Sequence, residues 1–181
     1  GQLPTPEAQS ISGVQPKVAL VQAPGGRYVM RSKLDANVHF IGKLPASDYP
    51  QLPEVEFAAM ALARAAGVAT CEVELKPLSA IAARLPFELR EDDRQFLLVR
   101  RFDRDAPTPN GRLHMEDLAQ AQGIDPDAKY DGTYAALGLA LRIASDDGRA
   151  DLLELVRRIK VNELLGNYDA HLKNFSLLYA N

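Results

Sequence analysis

The chain has 181 residues, 46% of them hydrophobic, a formal net charge of -3 and one cysteine, and a chain of that length buries roughly 70% of its unfolded surface, enough for one domain or two small lobes. Its lysines and arginines are spread out rather than clustered, which excludes a basic field for nucleic acid or an anionic membrane. Cys71 can form no internal disulfide and has no neighbouring Cys/His set, and no apolar run approaches the roughly 20 residues of a membrane span, so a soluble protein of a reducing cytoplasm is expected, with Cys71 a small buried hydrophobe.

Taken in chain order, residues 17–23, the turn residues Pro24-Gly25-Gly26 and residues 27–30 predict a β-hairpin, with the glycines supplying positive φ. A third strand is expected over 37–43. Pro53 and Glu54 open a helix in which Val55, Ala58, Ala59, Leu62 and Ala66 share the face expected to pack on the sheet, and Gly67 closes it. Strands over 71–76 and 95–102 complete a small sheet, with a polar turn over 88–94.

The second half changes period. Residues 114–122, 131–144 and 149–166 show helical spacing; Tyr134, Leu137, Leu141 and Ala144 share one face, and Leu152, Leu153, Val156 and Ile159 another. The segment 103–111, with Pro107, Pro109 and Gly111, is expected to connect a sheet-rich lobe to a helical one. A short strand over 175–179 follows the last loop.

Asp169 and Asn174 follow the last helix at the D-x-x-x-x-N spacing of a phosphotransfer loop, in which a carboxylate takes the proton of an attacking hydroxyl and an amide oxygen holds a metal. The spacing alone suits an ordinary turn equally, since Asp and Asn favour turns. Lys43 at the end of an apolar strand and Glu56 in the first turn of the next helix have the layout of a phosphate-gripping lysine and its partner. Singly, the lysine reads as a solvated side chain and the glutamate as an acid at a helix N-terminus. Their order along the chain, with His171 and Lys173 enriching the loop, favours phosphotransfer.

Four segments in order then carry a family resemblance. Ser10-Ile11-Ser12-Gly13-Val14-Gln15-Pro16-Lys17 resembles the S-I-x-G/S-x-Q-x-K segment of the HipA family of serine/threonine kinases. Ile41-Gly42-Lys43-Leu44-Pro45 resembles its lysine-leucine-proline segment, Arg100-Arg101-Phe102-Asp103-Arg104 its R-F-D-R hinge, and Asp169-Ala170-His171-Leu172-Lys173-Asn174-Phe175 its D-x-H-x-K-N-F loop. The resemblance implies an α+β, protein-kinase-like two-lobe fold. A nucleotide-binding N-lobe with a small antiparallel sheet and a mobile serine loop is expected over 1–104, and the beginning of a helical C-lobe over 105–181.

It also implies roles. Lys43 would contact the phosphates of ATP, the backbone around Arg100, Arg101 and Phe102 would hold adenine, and Asp103 would lie near the ribose. Asp169 would be the catalytic base, His171 close to the transferred phosphate, and Asn174 a ligand of Mg2+. Glu56 and Lys173 would support the site, and Ser10 or Ser12 would be autophosphorylated, which silences such kinases. A small DNA-binding antitoxin of HipB type is the expected partner, with DNA contacted only through it. The expected substrate is a protein component of translation, an aminoacyl-tRNA synthetase being one candidate.

Asn167 and Tyr168 stand where a strict protein kinase has H-R, and no G-x-G-x-x-G precedes the lysine strand; both departures fit the HipA type. Asp117, after Met115 and Glu116, is expected as a helix-start acid. Family members are longer at both ends and carry a second metal-binding aspartate after the loop, so the chain is expected to be a truncated, inactive portion. Two alternatives stay open on the residues alone: a degenerate, non-catalytic module that binds a partner, and a kinase for a small molecule or lipid.

Overall fold

A computed structural model describes residues 15–31, 38–46, 48–82, 85, 89–90, 93–104, 111–118, 133–167 and 174–179. The chain divides into two compact units, Gly1–Ala61 with Thr70–Phe102 and Leu62–Ala69 with Asp103–Asn181.

The first unit is built on an antiparallel sheet of β1 (Lys17–Gln22), β2 (Tyr28–Met30), β3 (Phe40–Lys43), β4 (Val73–Pro77) and β5 (Gln95–Arg100), in the order β2-β1-β3-β5-β4. The hairpin between β1 and β2 turns at Ala23-Pro24-Gly25-Gly26, where the Gly26 N–H donates to the Ala23 carbonyl at 3.1 Å. Proline at the second position and Gly25 at φ 89° in the third are the type II pattern, which a residue with a Cβ would strain.

Strand alternation sends Val18 and Leu20 of β1 and Phe96 and Leu98 of β5 to one face, where they cluster with Tyr28, Leu44 and Ile81. Tyr28 meets Phe40 and Phe96 edge-on, with ring centroids 5.5 and 6.5 Å apart. Gly42 of β3 sits where a Cβ would lie 2.8 Å from Leu20 Cδ1 and 3.1 Å from Val18 Cγ2. Its missing side chain lets the core side chains of β1 and β5 close over β3.

α1 (Leu52–Ala65) differs from expectation in its rotation. Val55 and Leu62 are 59% and 57% exposed, while Pro53 is buried and Glu56, Phe57, Met60 and Ala63 are half-buried. Apart from half-buried Ala59, the apolar stripe picked out by spacing is exposed, and the helix instead turns Glu56 towards Lys43 of the sheet. The helix ends in a Schellman motif: the Gly67 N–H donates to the Arg64 carbonyl and the Val68 N–H to that of Ala63, both at 3.0 Å, with Gly67 at φ 81° and Val68 buried.

In the second unit, α2 (Tyr134–Ala144) and α3 (Gly148–Leu165) pack around Leu118, Leu137, Leu141 and Leu155, with Leu152, Ile159, Phe175 and Leu177 against them. Thr133 Oγ1 caps α2 by accepting from the Ala136 N–H, and Asp147 Oδ1 caps α3 by accepting from that of Ala150, both at 3.1 Å. The inward stripe of α3 is Leu152, Leu155 and Ile159; Leu153 and Val156, expected on it, are exposed.

Residues 114–117 are a strand rather than the start of a helix. β6 (His114–Asp117) pairs antiparallel with β7 (Ser176–Tyr179), the Tyr179 hydroxyl donates to Glu116 at 3.1 Å, and the His114 and Tyr179 rings lie 5.4 Å apart. The partner strand comes some sixty positions later, so local periodicity could not reveal it. Asp117 accordingly closes a strand instead of opening a helix, and residues 119–122 lie outside the described residues.

Gly42→Ala is expected to lower stability by about 1–3 kcal/mol through overpacking, read as a lower midpoint in thermal or urea unfolding. An unchanged midpoint would mean that the Leu20 and Val18 side chains move aside freely.

Candidate functional site

The register of β1, β3 and β5 places Lys17, Lys43 and Leu97 in one row across the sheet, Lys17 directly opposite Lys43. Residues directly opposite in a ladder lie on the same face. Lys43 Nζ donates to Glu56 Oε1 at 2.6 Å, with the two side chains only 27% and 28% exposed. The other oxygen, Glu56 Oε2, is buried and has no hydrogen-bond partner among the described residues.

Like charges directly opposite destabilise a sheet, and for Lys17 burial weighs more heavily still. Burial holds its ammonium below the ordinary lysine range, the charge of Lys43 lowers it further, and Glu56 pulls it partly back. The sign follows from linkage: a group depressed on folding gives full stability only above its unfolded pKa, and loses it as pH falls through the folded value. At neutral pH the charged Lys17 therefore works against the fold. Two cations brought side by side next to one carboxylate suit a polyphosphate, whose oxygens supply further counter-charge.

The sequence singled out Lys43 and Glu56 and quoted Lys17 only within a motif. The signal for Lys17 was present in the alternation of Lys17-Val18-Ala19-Leu20, because burying Val18 and Leu20 puts Lys17 on the opposite face. What was missing was the register against β3. The segment leading to Lys17 is fastened at its end: the Leu44 N–H donates to the Pro16 carbonyl at 2.9 Å, and the Gln15 side chain is buried. Ser10 and Ser12 lie outside the described residues.

At the far end of β5, the Arg100 N–H donates to the Glu72 carbonyl at 2.9 Å and the Arg101 N–H to that of His39 at 2.8 Å. The N–H groups of Arg100 and Arg101 are thus bound within the sheet unit, and the ring of Phe102, which ends the segment expected to hold adenine, is exposed. The Arg100 guanidinium meets Glu72 at 3.4 Å on the surface, a pair of small energetic weight. The Asp103 carboxylate accepts from Arg104 Nη1 at 2.5 Å, and the Arg104 side chain is almost wholly buried.

α3 stops at Gly166, φ 67°, in a second Schellman motif whose bonds run from Gly166 to Glu163 at 3.2 Å and from Asn167 to Asn162 at 2.9 Å. The Asn167 side chain also donates to Asn162 Oδ1 at 3.1 Å. Asp169, His171 and Lys173 lie outside the described residues. Asn174 is exposed and immediately precedes Phe175, whose carbonyl accepts from the Leu118 N–H at 2.9 Å. An amide oxygen in that position is a hard donor that suits Mg2+.

The family model of the HipA-like C-terminal domain matches residues 9–181. The chain belongs to the HipA-like family. A Sinorhizobium fredii protein named "Putative kinase Y4dM" is 44% identical over 141 residues, which is 77% of this chain and 33% of that protein. A second from the same organism, "Putative kinase Y4mE", is 36% identical over 176 residues, 94% of this chain and 38% of that protein. In three dimensions this HipA-like chain is similar to one from the complex of the Shewanella oneidensis MR-1 toxin-antitoxin proteins HipA and HipB with operator DNA. That match has a TM-score of 0.64 and 25% identity, over 94% of this chain and 40% of that one. The chain thus spans about a third to two fifths of the length of these relatives. Among the described residues no helix is long and apolar enough to cross a membrane.

Lys17→Met is expected to leave the unfolding midpoint at pH 7 unchanged or raised, and to flatten its rise with pH towards the lysine range. Lys43→Met, which strands Glu56, is expected to lower the midpoint. Melts of both variants from pH 7 to 10 check this; a large loss in Lys17→Met would show that its charge supports the fold.

Proposed function

We propose that this chain is part of an ATP-dependent serine/threonine protein kinase of the HipA toxin type. The observation that carries the reading is the Lys43–Glu56 ion pair with Lys17 opposite Lys43, in a chain of the HipA-like family whose relatives are named as kinases. Lys17 and Lys43 hold the phosphate oxygens of the nucleotide, and Glu56 keeps the Lys43 side chain extended across the sheet face. The Asp169 carboxylate accepts the proton of the acceptor hydroxyl as its oxygen bonds to the terminal phosphorus and the bond to the ADP oxygen breaks. Asn174 would hold Mg2+ through its amide oxygen, and the metal would draw charge from the phosphate oxygens. Asp103 sits near the ribose, and His171 near the transferred group.

The acceptor is a serine or threonine of a protein, and the growth-inhibiting target is a component of translation such as an aminoacyl-tRNA synthetase. Autophosphorylation of Ser10 or Ser12 silences the enzyme. The partner is a small HipB-like antitoxin, through which any DNA is met; the structural relative comes from a complex of HipA, HipB and operator DNA. The setting is the cytoplasm.

In the full-length protein, Asp169→Asn is expected to lower phosphotransfer from labelled ATP by about 10²- to 10⁴-fold; full retention would remove Asp169 from the mechanism. Mg-ATP at 100 times its dissociation constant is expected to stabilise the protein by about 2.7 kcal/mol. No thermal shift at millimolar nucleotide would overturn the ATP reading. Binding without transfer to protein would favour a non-catalytic module or a small-molecule acceptor.

A further inference from the structure

Arg104, in the second unit, is enclosed where the paired arginines of α3 are not. Its side chain is 8% exposed, whereas those of Arg157 and Arg158 are 54% and 42% exposed. The guanidinium turns back on the residue before it: Nη1 donates to Asp103 Oδ2 at 2.5 Å and to the Asp103 carbonyl at 3.1 Å. The same carbonyl accepts the Leu113 N–H at 3.3 Å, beside an antiparallel bridge between Arg104 and Arg112. Asp103 is thus held at its backbone from two sides, and at its carboxylate by a nitrogen that also holds the backbone.

Ion pairs in water contribute little, but this one is withdrawn from water, with the Asp103 side chain 21% exposed. Burying a guanidinium is costly unless its donors are met. Arg104 Nε is buried and has no hydrogen-bond partner among the described residues. Fixing so long a side chain costs rotamer freedom as well. Stability is therefore a poor account of the pair, since apolar residues of similar volume would fill the space without an unmet donor. What the arrangement does supply is a carboxylate with one direction. Nη1 closes a ring through Oδ2 and the carbonyl of the same residue, so rotating the Asp103 side chain breaks a charge-assisted bond.

We propose that Arg104 is a positioning residue for the nucleotide sugar: it holds the Asp103 carboxylate in the orientation that accepts a ribose hydroxyl, and so makes Asp103 a reader of ribose against deoxyribose. The proposal rests on the reading of Asp103 as the residue beside the ribose. A hydroxyl binds best to an acceptor that is already fixed, because ordering a loose side chain on binding costs affinity. Hydrogen bonds to ionised groups are worth about ten- to a hundredfold in binding, and a missing hydroxyl removes that factor.

The test is equilibrium binding of Mg-ATP, Mg-2′-deoxyATP and Mg-3′-deoxyATP to the full-length protein, with thermal unfolding as the control for folding. The unsubstituted protein is expected to prefer ATP to at least one deoxy analogue by about tenfold or more. Arg104→Met is expected to bring ATP down towards that analogue while the analogue's own affinity changes little. Arg104→Lys, which keeps the charge and a donor, is expected to fall between the two. In an Asp103→Ala background, Arg104→Met is expected to leave the ratio where Asp103→Ala puts it, because the two act through one carboxylate.

A folded Arg104→Met protein with an unchanged ratio would overturn the proposal alone, as would an equal weakening of all three nucleotides, which is the mark of a merely structural role. If Arg104→Met does not fold, Arg104→Gln, which lacks the charge and the fork, carries the same comparison under the same criteria. An unsubstituted protein that binds Mg-ATP and transfers phosphate without discriminating between the sugars would overturn the ribose role of Asp103 and this proposal, and leave the kinase reading standing. One that neither binds Mg-ATP nor transfers phosphate would overturn the kinase reading itself.

Discussion

Two ammonium groups facing each other across neighbouring strands are a liability, and the first unit is arranged around containing it. The β1–β3 register puts Lys17 opposite Lys43, and the Glu56 carboxylate bonded to Lys43 at 2.6 Å opposes their repulsion. Other features follow from keeping that triangle closed. Gly42 allows Val18, Leu20 and Phe96 to meet over β3 and hold the strand at the register where Lys43 falls beside Lys17. α1 adopts the rotation that turns Glu56 inward, although this leaves Val55 and Leu62 in water. In this helix one charged contact has prevailed over an apolar stripe, the reverse of what periodicity alone selects.

The two long helices, α1 and α3, end in the same device. Gly67 and Gly166 reverse the chain through a positive φ, and in each case the two residues past the last turn return hydrogen bonds to its carbonyls. A stop of this kind fixes the direction of the exiting chain, which matters more for the next segment than for the helix itself. After Gly67 comes Ala69, held at both backbone groups by Glu154 and Arg158. After Gly166 comes the segment with Asp169, and the chain is described again at Asn174, where Phe175 bonds to Leu118 and β7 joins β6.

Much of this was legible in the sequence where local rules and tertiary needs agree. The Pro-Gly-Gly turn, the strand before it and the stop of α1 at Gly67 each state their structure within a few residues. Lys43 and Glu56 were legible as a pair because a strand-end lysine and an acid near a helix start are both local features. Legibility failed where the deciding partner is distant. The strand over His114–Asp117 exists because of Ser176–Tyr179, and the facing of Val55 is decided by a lysine on another strand. Lys17 was hidden for the same reason, since its importance lies in what the register places opposite it.

These conflicts do not fall at random. A sequence under selection for stability alone would put an uncharged residue at position 17 or 43 and a hydrophobe at 56, and would rotate α1 to bury Val55. The chain instead keeps a depressed ammonium, a partly buried ion pair and a buried carboxylate oxygen with no hydrogen-bond partner among the described residues. Local rules are broken together at one place, and such clustering is characteristic of a binding site rather than of loose packing.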